Sequence, residues 1–199
     1  MKKTKYIIAL LVAAISFALP AQAQERILTA IGATGKTELK VANDIKNLYF
    51  ANKPESKTFK ITTNTTVKPR TSADWFQASI NGNVVTVSIV ENSDADLRSG
   101  ELTLAAPDGQ SKIINVTQLG TNPGFFVSTD TARVKGIDAG VVVNITSNTN
   151  LTFTGSEWIT PKDATPVVGT KNYVFIAGKM QQGTRTGTLN VSDGTNSKS

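Results

Sequence analysis

Apolar and polar residues alternate with a period of two through most of the chain that is not a turn. Phe59 and Ile61 are separated by Lys60; Val85, Val87 and Ile89 alternate with Thr86 and Ser88; Leu102 and Leu104 flank Thr103; Ile114 and Val116 flank Asn115. Later come Val141, Val143 and Ile145, then Tyr173 and Phe175, then Leu189 and Val191. Successive side chains of a strand point to opposite faces, so this pattern predicts strands with one face buried. Turn residues punctuate it: Asn81-Gly82-Asn83 lies between Ile80 and Val84, and Pro107-Asp108-Gly109 and Asp193-Gly194 each follow a predicted strand. Gly and Asn accept the positive φ of tight hairpins. Short alternating strands with turns at this spacing predict an all-β fold of immunoglobulin-like antiparallel sandwiches, and they also fit small barrels.

The strand pattern occurs twice. Arg98-Ser99-Gly100-Glu101-Leu102 returns as Arg185-Thr186-Gly187-Thr188-Leu189, 87 residues later. Ile61-Thr62-Thr63-Asn64-Thr65 returns as Ile145-Thr146-Ser147-Asn148-Thr149 at an offset of 84, and Asp74-Trp75-Phe76 as Glu157-Trp158-Ile159 at 83. The 23 positions from Trp75 to Arg98 become 27 from Trp158 to Arg185, which places an insertion in residues 161–171, a longer loop with Pro166 and Gly169. A repeat of this kind predicts two sandwiches in tandem, over residues 37–120 and 125–199, joined by a linker at 121–124. After Asp108-Gly109 the first copy continues with a strand, Ser111–Gln118, whereas only five residues follow Asp193-Gly194. The second copy is therefore expected to lack its last strand and to expose an edge. The reading is either that the chain is an N-terminal piece of a longer protein or that another segment supplies the strand.

Residues 1–23 read as an export signal. Lys2, Lys3 and Lys5 precede an apolar run of 13 residues at 7–19, and Ala21-Gln22-Ala23 is a small-residue cleavage site. The run is shorter than the ~20 residues of a spanning helix. Cleavage leaves an N-terminal segment at 24–36 ahead of the first copy, no membrane span, and a chain destined for the periplasm, cell surface or exterior. Three Lys and no acid leave with the signal, so the net charge falls from +6 to +3. The remaining Lys and Arg are scattered, which argues against nucleic acid as a partner. With no Cys in the chain, each copy must be held by core burial without disulfides.

Trp75, an Asn-Gly turn, Val84-Val85-Thr86-Val87-Ser88, Glu91-Asn92, Arg98-Ser99-Gly100 and Val116-Thr117-Gln118-Leu119-Gly120 follow in that order. Together they resemble a BACON domain, the Bacteroidetes-associated, often N-terminal module. The resemblance covers residues 40–120 well and 125–199 in part. Val67 and Leu151 stand where family members usually carry a second Trp, and in the second copy Lys179 is aligned with Asn92. The resemblance implies an immunoglobulin-like sandwich in an exported protein, commonly placed before a glycan-active catalytic domain, with carbohydrate binding as its proposed role.

Composition removes several chemistries. Without His or Cys there is no Ser-His-Asp triad, no thiol nucleophile and no zinc site of the usual ligand set. No assembled constellation points to an enzyme, and no cofactor or metal is expected. Asp94 and Asp96 resemble half of a calcium loop, but the Gly and the distant Glu of that motif are missing, so a solvated turn is expected. Trp75 and Trp158 are the carbohydrate-binding candidates, since a flat indole stacks on a sugar ring and two in tandem add avidity. Each is equally a core plug of its own sandwich, and recurrence at matching positions favours that reading. Arg98 and Arg185 are read as sheet-building residues for the same reason. The function expected is a non-catalytic module that binds or presents polysaccharide or glycoprotein glycan beside a downstream domain, or a structural spacer holding that domain away from the surface.

Overall fold

The computed structural model describes residues 37–135, 139–179 and 183–199; the export signal and the segment at 24–36 lie outside the described residues. The alternating runs form strands β1 (Leu39–Val41), β2 (Asn47–Phe50), β3 (Glu55–Thr63), β4 (Lys68–Thr71), β5 (Phe76–Asn81), β6 (Val84–Ile89), β7 (Arg98–Ala105) and β8 (Ser111–Gln118). The second series is β9 (Phe125–Val127), β10 (Ala139–Ser147), β11 (Thr152–Gly155), β12 (Ile159–Pro161), β13 (Gly169–Ala177), β14 (Leu189–Ser192) and β15 (Ser197–Lys198). Their sheet orders are β1-β3-β6-β5 with β2-β8-β7-β4, and β12-β13-β10-β9 with β11-β14-β15. The second pair has the four-over-three order of an immunoglobulin sandwich, its first, second, fifth and fourth strands in one sheet and its third, sixth and seventh in the other; the first pair has the same order with β2 added beside β8, four strands over four.

The residues that alternate in sequence are those that fill the interior. Phe50, Val85, Val87, Leu102, Leu104, Ile114 and Val116 are fully buried in one core, with Phe59, Ile61 and Phe76 around them. Val143, Ile145, Leu151, Tyr173, Phe175 and Val191 make a second, smaller core. Both lie within the compact unit Glu38–Ser199. The turn at Gly82 (φ 57°) and those at Gly109 and Gly194 (both φ 90°) sit where expected, in the left-handed region.

Three features depart from the expectation. β2 pairs with β8 in parallel, Leu48 opposite Val116, while the other pairings are antiparallel. Hairpins impose antiparallel pairing on sequence neighbours, and no hairpin joins β2 to β8. The last strand of the second copy is not wholly missing: β15 pairs Ser197 with Ser192 and Lys198 with Val191. The insertion is narrower than 161–171, because Pro161 ends β12 and Gly169 opens β13. Lys171 ties this loop down, with Nζ 2.7 Å from Asp163 Oδ2 and donating to Thr165 O at 2.9 Å. That ion pair, helped by hydrogen bonds from Thr165, holds the Asp163 carboxyl below the usual carboxylate range.

Candidate functional site

Trp75 and Arg98 are brought into one contact, and so are Trp158 and Arg185. The Arg98 guanidinium lies over the Trp75 ring at 4.7 Å, and that of Arg185 over Trp158 at 3.9 Å. A planar cation over an indole face is attracted by the ring quadrupole, by about 0.5–2 kcal/mol. Backbone geometry repeats as well: Val90 N donates to Trp75 O at 3.1 Å, and Gly178 N to Trp158 O at 2.7 Å. Arg98 Nη2 then donates to Val90 O and Glu91 O, at 3.1 and 3.0 Å. Arg185 Nη2 donates to Gly178 O and, at 3.4 Å, to Lys179 O. This correspondence aligns Lys179 with Glu91 and corrects its alignment with Asn92. The Gly of the motif gives the aromatic room. A Cβ on Gly187 would stand 2.9 Å from Trp158 Cε2, and one on Gly100 would stand 2.7 Å from Phe76 Cε1.

Trp75 packs half-buried against the first core, 4.6 Å from the Phe76 ring. Trp158 is half-buried too, beneath Arg185. Neither indole is an open platform, because one face of each already carries a guanidinium.

Two buried polar residues of the first copy close the backbone. Gln118 is fully buried, takes Arg98 Nε at 2.9 Å, and donates to Val90 O at 2.9 Å and Asn52 O at 3.2 Å. Asn92, also buried, donates to Asp96 O and Leu119 O at 3.0 and 3.1 Å. Its Oδ1 takes Asp94 N, while Asp94 O takes Thr121 N at 2.8 Å. Asp94 and Asp96 thus stand in an exposed turn that Asn92 organises. No group of three His, Cys, Asp or Glu capable of holding a metal occurs among the described residues.

Asn64 and Asn148, which the repeat pairs, do one job. Asn64 Oδ1 accepts Glu38 N at 2.8 Å, and Asn148 Oδ1 accepts Gly124 N at 2.9 Å. Each holds the chain as it enters its sandwich. Asn148 does more, since its Nδ2 donates to Gly120 O at 2.7 Å and Asn122 O at 2.6 Å. The linker is held from the first sandwich as well, where Asp94 O and Ala95 O accept Thr121 N and Asn122 N, at 2.8 and 3.1 Å.

Sequence reasoning missed the junction built around this linker. Tyr49 on β2 stacks on Phe126 on β9, centroids 4.3 Å apart and planes at 19°. Lys57 on β3 donates to Tyr49 O and, at 2.6 Å, to Thr170 Oγ1, and its ammonium lies 4.8 Å from the Phe50 ring centroid. Burial pushes the Lys57 pKa below its ordinary value, an effect that Glu55, 3.8 Å away, partly opposes. One signal was available: Lys57 has the parity of Phe59 and Ile61, so it sits on the inward face of its strand.

On the outer face of the sheet β2-β8-β7, Asn47, Asn115, Ser99, Thr117 and Glu101 line a shallow polar trough with Tyr49 at one end. Asn115 Nδ2 donates to Asn47 Oδ1 at 3.2 Å, and Ser99 and Thr117 hydroxyls lie 3.2 Å apart.

No family model matches the chain, and none of the curated proteins does. Among solved structures, the chain is similar to a Bacteroides ovatus GH5 xyloglucanase in complex with a XXXG heptasaccharide, 27% identical, covering 41% of this chain, TM-score 0.39. It spans only 19% of that protein's chain. It is similar also to the titin tandem domains A164-A165, 11% identical over 82% of this chain and 94% of that one, TM-score 0.36. Domains 5-6 of the S-layer protein SbsC are 13% identical over 82% and 95%, TM-score 0.36. At such TM-scores none of these bears on function. Among the described residues no helix is long and apolar enough to cross a membrane.

Proposed function

We propose that this chain is a non-catalytic module of an exported bacterial protein, a stiff two-sandwich spacer of the BACON type that holds a neighbouring domain at a set distance. The observation that carries the reading is Asn148, whose side chain bonds three backbone groups of the linker, Gly120 O, Asn122 O and Gly124 N. Two sandwiches on a free tether would need no such clamp. The Trp–Arg pairs support the same reading, since they spend the most conspicuous aromatic and cationic groups on internal contacts. X-ray scattering of the full chain is expected to give one elongated particle with little spread in shape, and affinity electrophoresis over a polysaccharide panel no retardation. A flexible, two-lobed scattering profile would sink the spacer.

Glycan binding is the second reading, and the polar trough favours it. Amide, hydroxyl and carboxylate groups on one face are the groups that hydrogen-bond sugar hydroxyls. Retardation on a polysaccharide that disappears in Asn47→Ala/Asn115→Ala would place the site in the trough. Loss only in Trp75→Ala or Trp158→Ala, with folding intact, would place it at the indoles.

A further inference from the structure

We propose that the cleft at the junction of the two sandwiches binds a small aromatic amine, its ring on the apolar lining around Leu97 and Phe126 and its ammonium at the Asp96 carboxylate. This goes beyond the spacer reading, since it concerns what the junction holds and not what the sandwiches separate.

The turn at Asp96 and Leu97, the linker, and the end of the second sandwich that carries Asn196 surround a cleft of about 580 Å³. Small-molecule sites run to roughly 300–1,000 Å³ and favour such junctions. Leu97, Leu119, Phe125 and Phe126 give this one an apolar lining. Its walls are held in place. A Cβ on Gly120 would stand 2.3 Å from Ala95 O and 2.4 Å from Asp96 O, so glycine is what lets the linker lie directly on that turn. Thr121 N and Asn122 N bond the linker to the turn, and the Asn148 amide bonds it to the second sandwich. A ligand entering a site already fixed loses little to ordering. β15, which borders the cleft at its start, leads away from it toward Asn190.

The matching places in the other copy are polar. Leu97 precedes Arg98, and Thr184 precedes Arg185. Phe126 pairs with Thr146 as Lys40 pairs with Thr62. The sandwich therefore accepts a polar residue at both places, and its fold requires neither apolar side chain. Phe126 is accounted for by the Tyr49 ring stacked on it. Leu97 has no such partner: it is 56% exposed, on the wall of an apolar concavity. Exposed apolar groups gathered in this way mark a contact with another molecule.

Charge selects the occupant. Lys198, the cation of the lining, is paired with Asp130 at 2.5 Å. Asp96 also borders the cleft, and its carboxylate has no cationic partner among the described residues. One unmatched negative charge beside apolar side chains suits a cation carried on a flat apolar body and repels a carboxylate. Asp96 is exposed, so its attraction is modest; burial of the ring supplies most of the affinity and the ion pair supplies the choice.

The test titrates tryptamine, its neutral counterpart tryptophol and the anion indole-3-propionate into the full chain, followed by backbone amide shifts in NMR spectra. Tryptamine is expected to bind saturably in the millimolar range, the range open to a ligand of its size, with shifts centred on residues 95–97 and 119–126. Tryptophol should bind about threefold more weakly, and the propionate more weakly still. Asp96→Asn should bring tryptamine down to the affinity of tryptophol. Asp94→Asn, at an exposed acid of the same turn outside the lining, should change nothing. Leu97→Thr, the residue of the other copy, should weaken tryptamine and tryptophol alike by roughly fivefold. All three substitutions are at exposed positions, and unchanged melting temperatures verify that the variants fold. The proposal is overturned by the absence of saturable shifts, by shifts centred on Trp75, Trp158 or the polar trough, or by equal binding of the three probes. Equal losses in Asp94→Asn and Asp96→Asn overturn it as well. A stiff scattering profile without binding would overturn it and leave the spacer standing.

Discussion

Trp75 and Arg98 stabilise the first sandwich as a pair, and the effect of removing either follows from what it leaves behind. Trp75→Ala removes a ring packed on Phe76 and on the core and uncovers Arg98. About 2–4 kcal/mol of stability should be lost in urea melts, with glycan retention, where there is any, falling only in proportion to unfolded protein. A loss under 0.5 kcal/mol would contradict the packing role. Lys57 has the opposite character. Its pKa is depressed by burial, so near 10.5, the ordinary value, the unfolded chain binds this proton better than the folded one. At neutral pH both states are protonated and the burial cost is fully present; it is relieved as pH rises through the folded value toward 10.5. Urea melts in the pH range just below 10.5 should therefore show wild type gaining stability relative to Lys57→Met. Parallel curves would mean that Lys57 is solvated.

At the level of the strand, Gln118 shows how a polar residue earns an inward position. β8 points Ile114, Val116 and Gln118 to the same side, and the third is tolerated because its amide meets Arg98, Val90 and Asn52. Gln118→Leu is nearly isosteric yet strips Arg98 Nε of its partner and takes a second donor from Val90 O and Asn52 O in a buried place, and is expected to cost about 2–3 kcal/mol by chemical denaturation. The strands were legible because each buries one face, and β3, β6, β7, β8, β10, β13 and β14 all carry the alternation. β1, β4, β9 and β11 were not, being only three or four residues long, too short for a period to register; β14, equally short, showed itself by its match to β7. β2 escaped because Leu48-Tyr49-Phe50 is continuously apolar. The repeat showed that Trp, Arg and Asn recur but not that Trp and Arg touch, since 23 residues separate them in one copy and 27 in the other.

For the molecule as a whole, the linker decides how the parts behave. Asn148→Ala releases Gly120, Asn122 and Gly124, and should broaden the particle shapes seen by X-ray scattering while changing the melting of either core by about 1 kcal/mol or less. Asn64→Ala, which frees Glu38 instead, should leave the scattering unchanged. Equal scattering from both variants would show that the Tyr49–Phe126 stack and Lys57 hold the junction without Asn148. The sequence by itself determined the all-β class, the internal repeat and the inward residues. Those follow from side-chain alternation and from comparing one copy with the other, both local properties of the chain. Only the tertiary structure decided that each repeated Arg lies on its Trp, that β2 runs parallel to β8, and that Asn148 and Lys57 lie at a junction. Each of these pairs residues far apart in sequence, where solvent exclusion and chain geometry, not pattern, set the partner.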